Sequence, residues 1–505
     1  MKKILSCLVF LYSCLSADAQ KPVAVDGGLI SGINQHGIQI FKGIPFAAAP
    51  VGKLRWKAPQ ALVPWSGVRA CEAFGPSPMQ ASPVPFSMWS AEFLIPKEPI
   101  SEDCLYLNVW SGAKSSREKR PVLVWIYGGG FTSGGSAVPI YDGEAMAKKG
   151  IVFVSINYRV GTFGFFAHPE LTKESDHNAS GNYGLMDQIA ALKWVQRNIA
   201  VFGGDPANVT IAGQSAGAMS VNCLVASPQA KGLFKKAIAE SGASFAIPYP
   251  SLAVAEEKGQ AFMKALGVSS LEDLRSKSAS EIMQKDLGMR GPILDGYILS
   301  EAISKIFAEK KQNDVALLTG WNEDEGLLMG TIKKSGDYQK QIQEQYGRDA
   351  SAFLTYYPGA TDLEATQSQL NLSRDMIFGA QNYAWATIQS DQGRPVYVYR
   401  FTRKVPGTGE YAKYGAFHTG EVAYAYDNLA FIDRPWQAID YELAQNMSSY
   451  WLNFIISGNP NGKGLAQWPA YSTKNKEIIV LGDQVKAQPM ADAAALDFLF
   501  SKMKK

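Results

Sequence analysis

The pentapeptide GQSAG at 213–217 sets Ser215 between two glycines. A serine hydroxyl is a weak nucleophile until a base takes its proton, so the chain must supply one. There are four histidines, His36, His168, His177 and His418. Where the serine sits on a strand-to-helix turn, the chain order of the set is serine, acid, histidine. Only His418, in GAFHTGEVAYAY, follows Ser215. The acid has several candidates: Glu323, Asp324 and Glu325 in ALLTGWNEDEG, and Asp295 in PILDGY. A glycine run in VWIYGGGFTSGG leaves backbone N–H groups uncovered, able to point at one oxyanion. No Gly-Lys-Ser/Thr follows it, which argues against a nucleotide cradle. The chemistry these residues suit is acyl transfer through a covalent serine intermediate.

Such groups need a rigid frame. Apolar, β-rich runs recur at PVLVWIY (121–127), GIVFVSINY (150–158), NVTIAG (208–213), KKAIAES (235–241), DVALLTG (314–320) and RPVYVYRF (394–401). Several are apolar on both faces, as strands covered on each side must be. Between them, GLMDQIAALKWVQRNIAVF places Leu185, Ile189, Leu192, Val195 and Ile199 at helical spacing. The alternation predicts an α/β fold with a mostly parallel central sheet and helices on both faces. Sites in such sheets form at the carboxyl ends of strands, where Ser215, the glycine run and the acidic turn all fall. NVTIAG ends at Ser215 and a small-residue helix, AGAMSVNCLVA, starts after it. That is a strand–serine–helix elbow, with glycines where backbones approach closely. The N-terminal VAVDGGLISGINQHGIQIFKGIPFA alternates with glycine turns, predicting an antiparallel meander that caps the sheet edge.

The chain has 505 residues and a net charge of +3, with no basic run to suggest a nucleic-acid partner. MKKILSCLVFLYSCLSADAQ carries a basic start, a short apolar core and an Ala17-x-Ala19 cleavage site, predicting a signal peptide over 1–19. Lipid attachment at Cys14 is the rival reading of this segment. No later run is long enough to form a membrane span. Residues 20–505 then form one large domain. Cleavage leaves Cys71, Cys104 and Cys223, of which Cys223 lies in an apolar run. No cysteine or histidine spacing suggests a metal.

The stretches FKGIPFAAAPVGKLRWKAPQ, SEDCLYLNVW, VWIYGGGF, NYRVGTFGF, GNYGLMDQ, VTIAGQSAG, GWNEDEG, GAFHTGE and YWLNFIISGNPN resemble, in order, the type-B carboxylesterase/lipase family of α/β-hydrolases. The resemblance runs from about residue 23 to 500. It implies the α/β-hydrolase fold, with Ser215 as nucleophile, Glu325 as acid and His418 as base. It implies oxyanion donors on the backbone of Gly129, Gly130 and Ala216, and Ser241 as a support for the triad. It also implies ion pairs Arg55–Glu102 and Arg159–Asp187; the expected Cys71–Cys104 disulfide is read instead from the cysteine count, these two being the cysteines outside the apolar run. Two departures stand out. Family members often read Gln-Ser-Gly where this chain has Glu240-Ser241-Gly242, and Pro78 and Met79 occupy the place where many carry a cysteine.

The expected activity is hydrolysis of small-molecule esters by an exported serine carboxylesterase needing no cofactor or metal. Feruloyl or other aromatic-acid esterases, amidases and catalytically silent adhesion relatives are the alternatives. Uncharged short- to medium-chain or aryl esters fit best, because the chain has no acidic excess to draw in a cation. Phe86, Trp89 and Phe93, in the loop entering Cys104, are the candidate apolar wall.

Overall fold

The computed structural model describes residues 21–285, 288–326 and 331–503, so the expected signal peptide lies outside the described residues. The apolar runs do become strands. In chain order the large sheet comprises β1 (Ile33–Gln35), β2 (Ile38–Pro45), β3 (Tyr106–Ser111), β4 (Arg120–Ile126), β5 (Val152–Ile156), β6 (Gly204–Gln214), β7 (Lys236–Glu240), β8 (Ala316–Asn322), β9 (Val396–Phe401), β10 (Glu477–Leu481) and β11 (Lys486–Pro489). Their spatial order is β11-β10-β9-β8-β7-β6-β4-β5-β3-β2-β1. From β10 to β5 every pairing is parallel, while the strands at both margins pair antiparallel. Every residue of β5 and β7 is buried, as strands covered by helices on both faces require.

Register brings the carboxyl ends level. Gly213 lies opposite Ile126, Gln214 opposite Glu240, and Glu240 opposite Gly320. The glycine run, Ser215, Ser241 and the acidic turn therefore leave the sheet side by side. Helix α1 (Tyr183–Asn198) buries Leu185, Ile189, Leu192 and Val195 as its spacing predicted. Helix α2 (Ala216–Ala226) follows Ser215, and α3 (Ala438–Ser457) packs against β4 and β6.

The N-terminal meander is split. β1 and β2 do extend the sheet edge, but Val23–Val25 and Gly28–Ser31 join Val68–Ala70 in a separate small sheet, the last pairing being parallel. Gly32 marks the crossing between the sheets: a Cβ there would come within 2.3 Å of the Ile40 carbonyl.

The expected Cys71–Cys104 bridge is absent; both are free, buried thiols. Cys71 sits between the small sheet and β2, its N–H donating to Ser31 O and its carbonyl accepting from Lys42 N. Cys104 instead lines a small cavity with Arg55, Glu102, Arg159 and Met79. The sulfur-bearing side chain that shares that space with Cys104 is the Met79 thioether, which cannot cross-link it.

Candidate active site

Ser215 adopts φ 57° and ψ −124°, a backbone region costing a non-glycine residue about 1–3 kcal/mol. The surrounding glycines explain how the turn is accommodated. A Cβ on Gly217 would lie 2.1 Å from Ile126 O, and one on Gly213 would lie 2.5 Å from the Gly217 carbonyl carbon. Only bare backbone lets β6, α2 and the end of β4 approach so closely. The Ser215 N–H donates to Glu240 O at 2.9 Å, tying the elbow to the adjacent strand. Its hydroxyl stands at the N-terminal end of α2, where the helix dipole favours negative charge.

The acidic turn after β8 distributes its three carboxylates to three tasks. Glu323 accepts from Arg374 and Arg400 at 3.1 and 2.8 Å. Asp324 accepts from the Ala416 N–H at 2.8 Å, which steadies the loop leading to His418. Glu325 is fully buried and lies 2.8 Å from His418 Nδ1 through its Oε2, while its Oε1 accepts from the Asn322 N–H at 2.9 Å. Asp295 caps its own turn, accepting from the N–H groups of Tyr297, Ile298 and Leu299. The open choice of acid is thereby narrowed: of the four candidates, Glu325 is the one that reaches the histidine.

Two residues that sequence reasoning passed over hold the imidazole. The Gln214 amide nitrogen is 3.3 Å from Nδ1 and 3.2 Å from Nε2 of His418. An atom so placed cannot lie in the ring plane without striking the carbon between the two nitrogens, so the amide lies over one face. Phe378, from a π-helical turn at Asp375–Gly379, stacks on the ring at 4.3 Å and 18°. Both groups are face-on, so they occupy opposite faces. Trp89 meets the imidazole edge-on at 6.2 Å and donates to Thr419 Oγ1 at 3.2 Å. Gln214 was in plain view inside GQSAG; nothing in DMIFGAQ marks Phe378 as a site residue.

Of the three proposed wall aromatics, Trp89 reaches the site directly. Phe86 packs on Trp89 at 4.8 Å and is 57% exposed, whereas Phe93 is buried against Phe417. The glycine run lies against the elbow: a Cβ on Gly128 would be 2.7 Å from Gln214 O and 3.0 Å from Ser215 Cβ. Gly129 and Gly130 adopt φ 104° and 62°. The Gly129 carbonyl accepts from the N–H groups of Thr132 and Ser133, which closes the turn. Ala216 is the first residue of α2, where an N–H has no partner within the helix.

This strand–serine–helix elbow, with a buried acid–histidine pair beside it, agrees with the comparison to known families: the model of the carboxylesterase family matches residues 19–499. The chain belongs to that family. Its relatives include a fumonisin B1 esterase of Sphingopyxis macrogoltabida, 36% identical over 91% of this chain and 86% of the relative. A para-nitrobenzyl esterase of Bacillus subtilis is 35% identical over 92% and 95%. Liver carboxylesterase 1 of Oryctolagus cuniculus is 34% identical over 90% and 87%. This carboxylesterase is therefore a carboxylic ester hydrolase with the α/β-hydrolase fold. Among the described residues no helix is long and apolar enough to cross a membrane.

The ion pairs that the family resemblance implies are formed. Arg55 donates to both oxygens of Glu102 at 2.6 Å, and Arg159 donates to Asp187 from Nε and Nη2 at 2.8 and 2.7 Å. Ser241 follows β7, its N–H bonded to Gly320 O at 2.9 Å. Its hydroxyl is buried and makes no hydrogen bond to another described residue.

Proposed function

We propose that this carboxylesterase is an exported serine esterase in which Ser215, His418 and Glu325 form the catalytic triad. The observation that carries the reading is the buried Glu325–His418 contact at 2.8 Å beside the Ser215 elbow. Ser215 Oγ attacks the ester carbonyl while His418 Nε2 takes its proton; Glu325 orients the ring and stabilises the imidazolium. The N–H groups of Gly129, Gly130 and Ala216 receive the oxyanion. The protonated His418 then gives its proton to the departing alcohol, leaving an acyl-enzyme. Water, deprotonated by the same histidine, releases the acid. Gln214 and Phe378, on opposite faces of the imidazole, limit its rotation between these steps. Ser241 acts as a structural support of the elbow through its backbone bond to Gly320.

Uncharged short- to medium-chain or aryl esters are the proposed substrates. Trp89 and Phe378 put aromatic surface against His418, and a para-nitrobenzyl esterase stands among the relatives. A panel of nitrophenyl esters of graded chain length, with hydroxycinnamate esters and anilides beside it, tests this, using Ser215→Ala as control. Preference for butyrylcholine over a neutral butyrate of similar leaving group, weakening as salt rises, would overturn the charge selectivity. Export is checked by mass spectrometry of the mature chain, expected to begin at Gln20; an intact Met1, or lipid on Cys14, overturns it.

A further inference from the structure

Below the triad lies a group of acids the mechanism does not use. Glu240 and Glu421 are both fully buried. Glu240 Oε1 accepts from Tyr426 OH and Trp451 Nε1, each at 2.8 Å, while its Oε2 has no hydrogen-bond partner among the described residues. Glu421 Oε2 accepts from the Asn322 amide, and its Oε1 is likewise without a partner. The charged and titratable groups facing the two are Glu325, Tyr141, Tyr399 and Tyr426, with His418 beyond Glu325; no lysine or arginine is among the groups acting on either acid. A buried carboxylate with neither a cation nor a full set of donors is expensive, and two beside a third are more so.

Both acids are also wired to the site. The main-chain carbonyl of Glu240 receives the Ser215 N–H, and its carboxylate receives Tyr426 OH from the segment that continues beyond His418 and Glu421. On the other side, Asn322 gives its side-chain amide to Glu421 and to Phe417 O, and its backbone N–H to Glu325. The acid pair thus lies between the elbow that carries the nucleophile and the loops that carry the acid and base.

We propose that Glu240 and Glu421 are a buried acid pair that keeps a proton in the working enzyme, and that Glu240 is a positioning residue holding the elbow against the acid–base loops. Burial pushes the Glu240 carboxyl up to about 7, and burial together with the neighbouring carboxylates raises Glu421. Glu240 is then higher in the folded chain than its ordinary 4.5. The stability linked to it is complete below the ordinary value and is lost as pH rises towards about 7. The positioning half of the proposal rests on the triad reading; the proton half does not.

The test compares Tm against pH for the wild type and Glu240→Gln, whose amide copies the protonated acid. The Tm of the variant is expected to gain on the wild type as pH climbs from about 4.5 to about 7, with a flat difference outside that window. Parallel curves overturn the proposal. The infrared carbonyl band of a protonated carboxyl is expected in the wild type and diminished in Glu240→Gln; an unchanged band overturns it. If that variant does not fold, Glu421→Gln takes its place, and lack of the wild-type band below about pH 7 decides against the proposal. For positioning, kcat is expected to fall in Glu240→Leu, which removes the acceptor of Tyr426 OH and Trp451 Nε1, and to be kept in Glu240→Gln, whose amide oxygen still accepts from both, with KM little changed in either. A Glu240→Leu enzyme with wild-type kcat, or a Glu240→Gln enzyme no better than it, overturns the positioning role. Repeating the Tm and infrared measurements in Ser215→Ala keeps the acid pair separable from the identity of the nucleophile.

Discussion

Arg159–Asp187 and His418–Glu325 are both buried acid–base pairs with contacts of 2.7–2.8 Å, yet they do opposite things. Arg159 meets Asp187 with two side-chain donors and its own N–H, so the carboxylate is saturated and the guanidinium never gives up its proton. Glu325 offers one oxygen to one ring nitrogen and spends the other on a backbone N–H. In the proposed mechanism the second ring nitrogen exchanges the proton of Ser215. Burial alone does not make a charge catalytic; the proposed role also needs a base able to lose its proton.

Breaking the switchable pair should have the largest effect on rate. Ser215→Ala and His418→Ala should each lower kcat by about 10⁴–10⁶-fold with little change in Tm, and combining them should add little. Wild-type turnover by either, measured by single-turnover kinetics, removes that residue from the triad. Glu325→Gln should cost about 10⁴-fold in kcat, because the amide favours the wrong tautomer, while Asp324→Asn keeps most of the rate. The reverse outcome reassigns the acid.

Breaking the permanent pair should act on stability instead. Asp187→Asn leaves Arg159 buried without its counter-charge and should destabilise the fold by about 3–5 kcal/mol in chemical denaturation. A far smaller loss would show that the site relaxes or admits water. The smallest effect is expected at the ring clamp. Phe378→Leu removes an aromatic stack of about 0.5–1.5 kcal/mol, so kcat should fall roughly 2- to 10-fold with KM little changed. No change in kcat would mean that Gln214 alone holds the imidazole.

The permanent and switchable pairs differed in how far the sequence disclosed them. The parallel strands and the elbow were legible because their signals are local: apolar runs of strand length, and glycines at 213 and 217 that close approach demands. The acid was not, because Glu323, Asp324 and Glu325 share one turn. What separates them are long-range claims on the first two by Arg374, Arg400 and the Ala416 N–H. Phe378 was invisible for a similar reason, since its register on the histidine depends on a π-helical turn inside a helical pattern. The aromatic loop was half legible: its composition announced an apolar wall, but Phe93 turned inward and Phe86 outward around Trp89. The disulfide expectation failed where the chain itself departs from the family, at Met79.

Among the described residues the fold is held together without a disulfide. Cys71, Cys104 and Cys223 are buried, and burial raises all three thiols, Cys71 to about 11 and Cys223 to about 12. Alkylating reagents act on the thiolate and need access to it, so the native chain should resist them. Their uptake then becomes a clock for opening: Cys71 times the release of the N-terminal sheet, and Cys223 the loosening of the helix that follows Ser215. A reductant, by contrast, should leave the folding of these described residues unaltered.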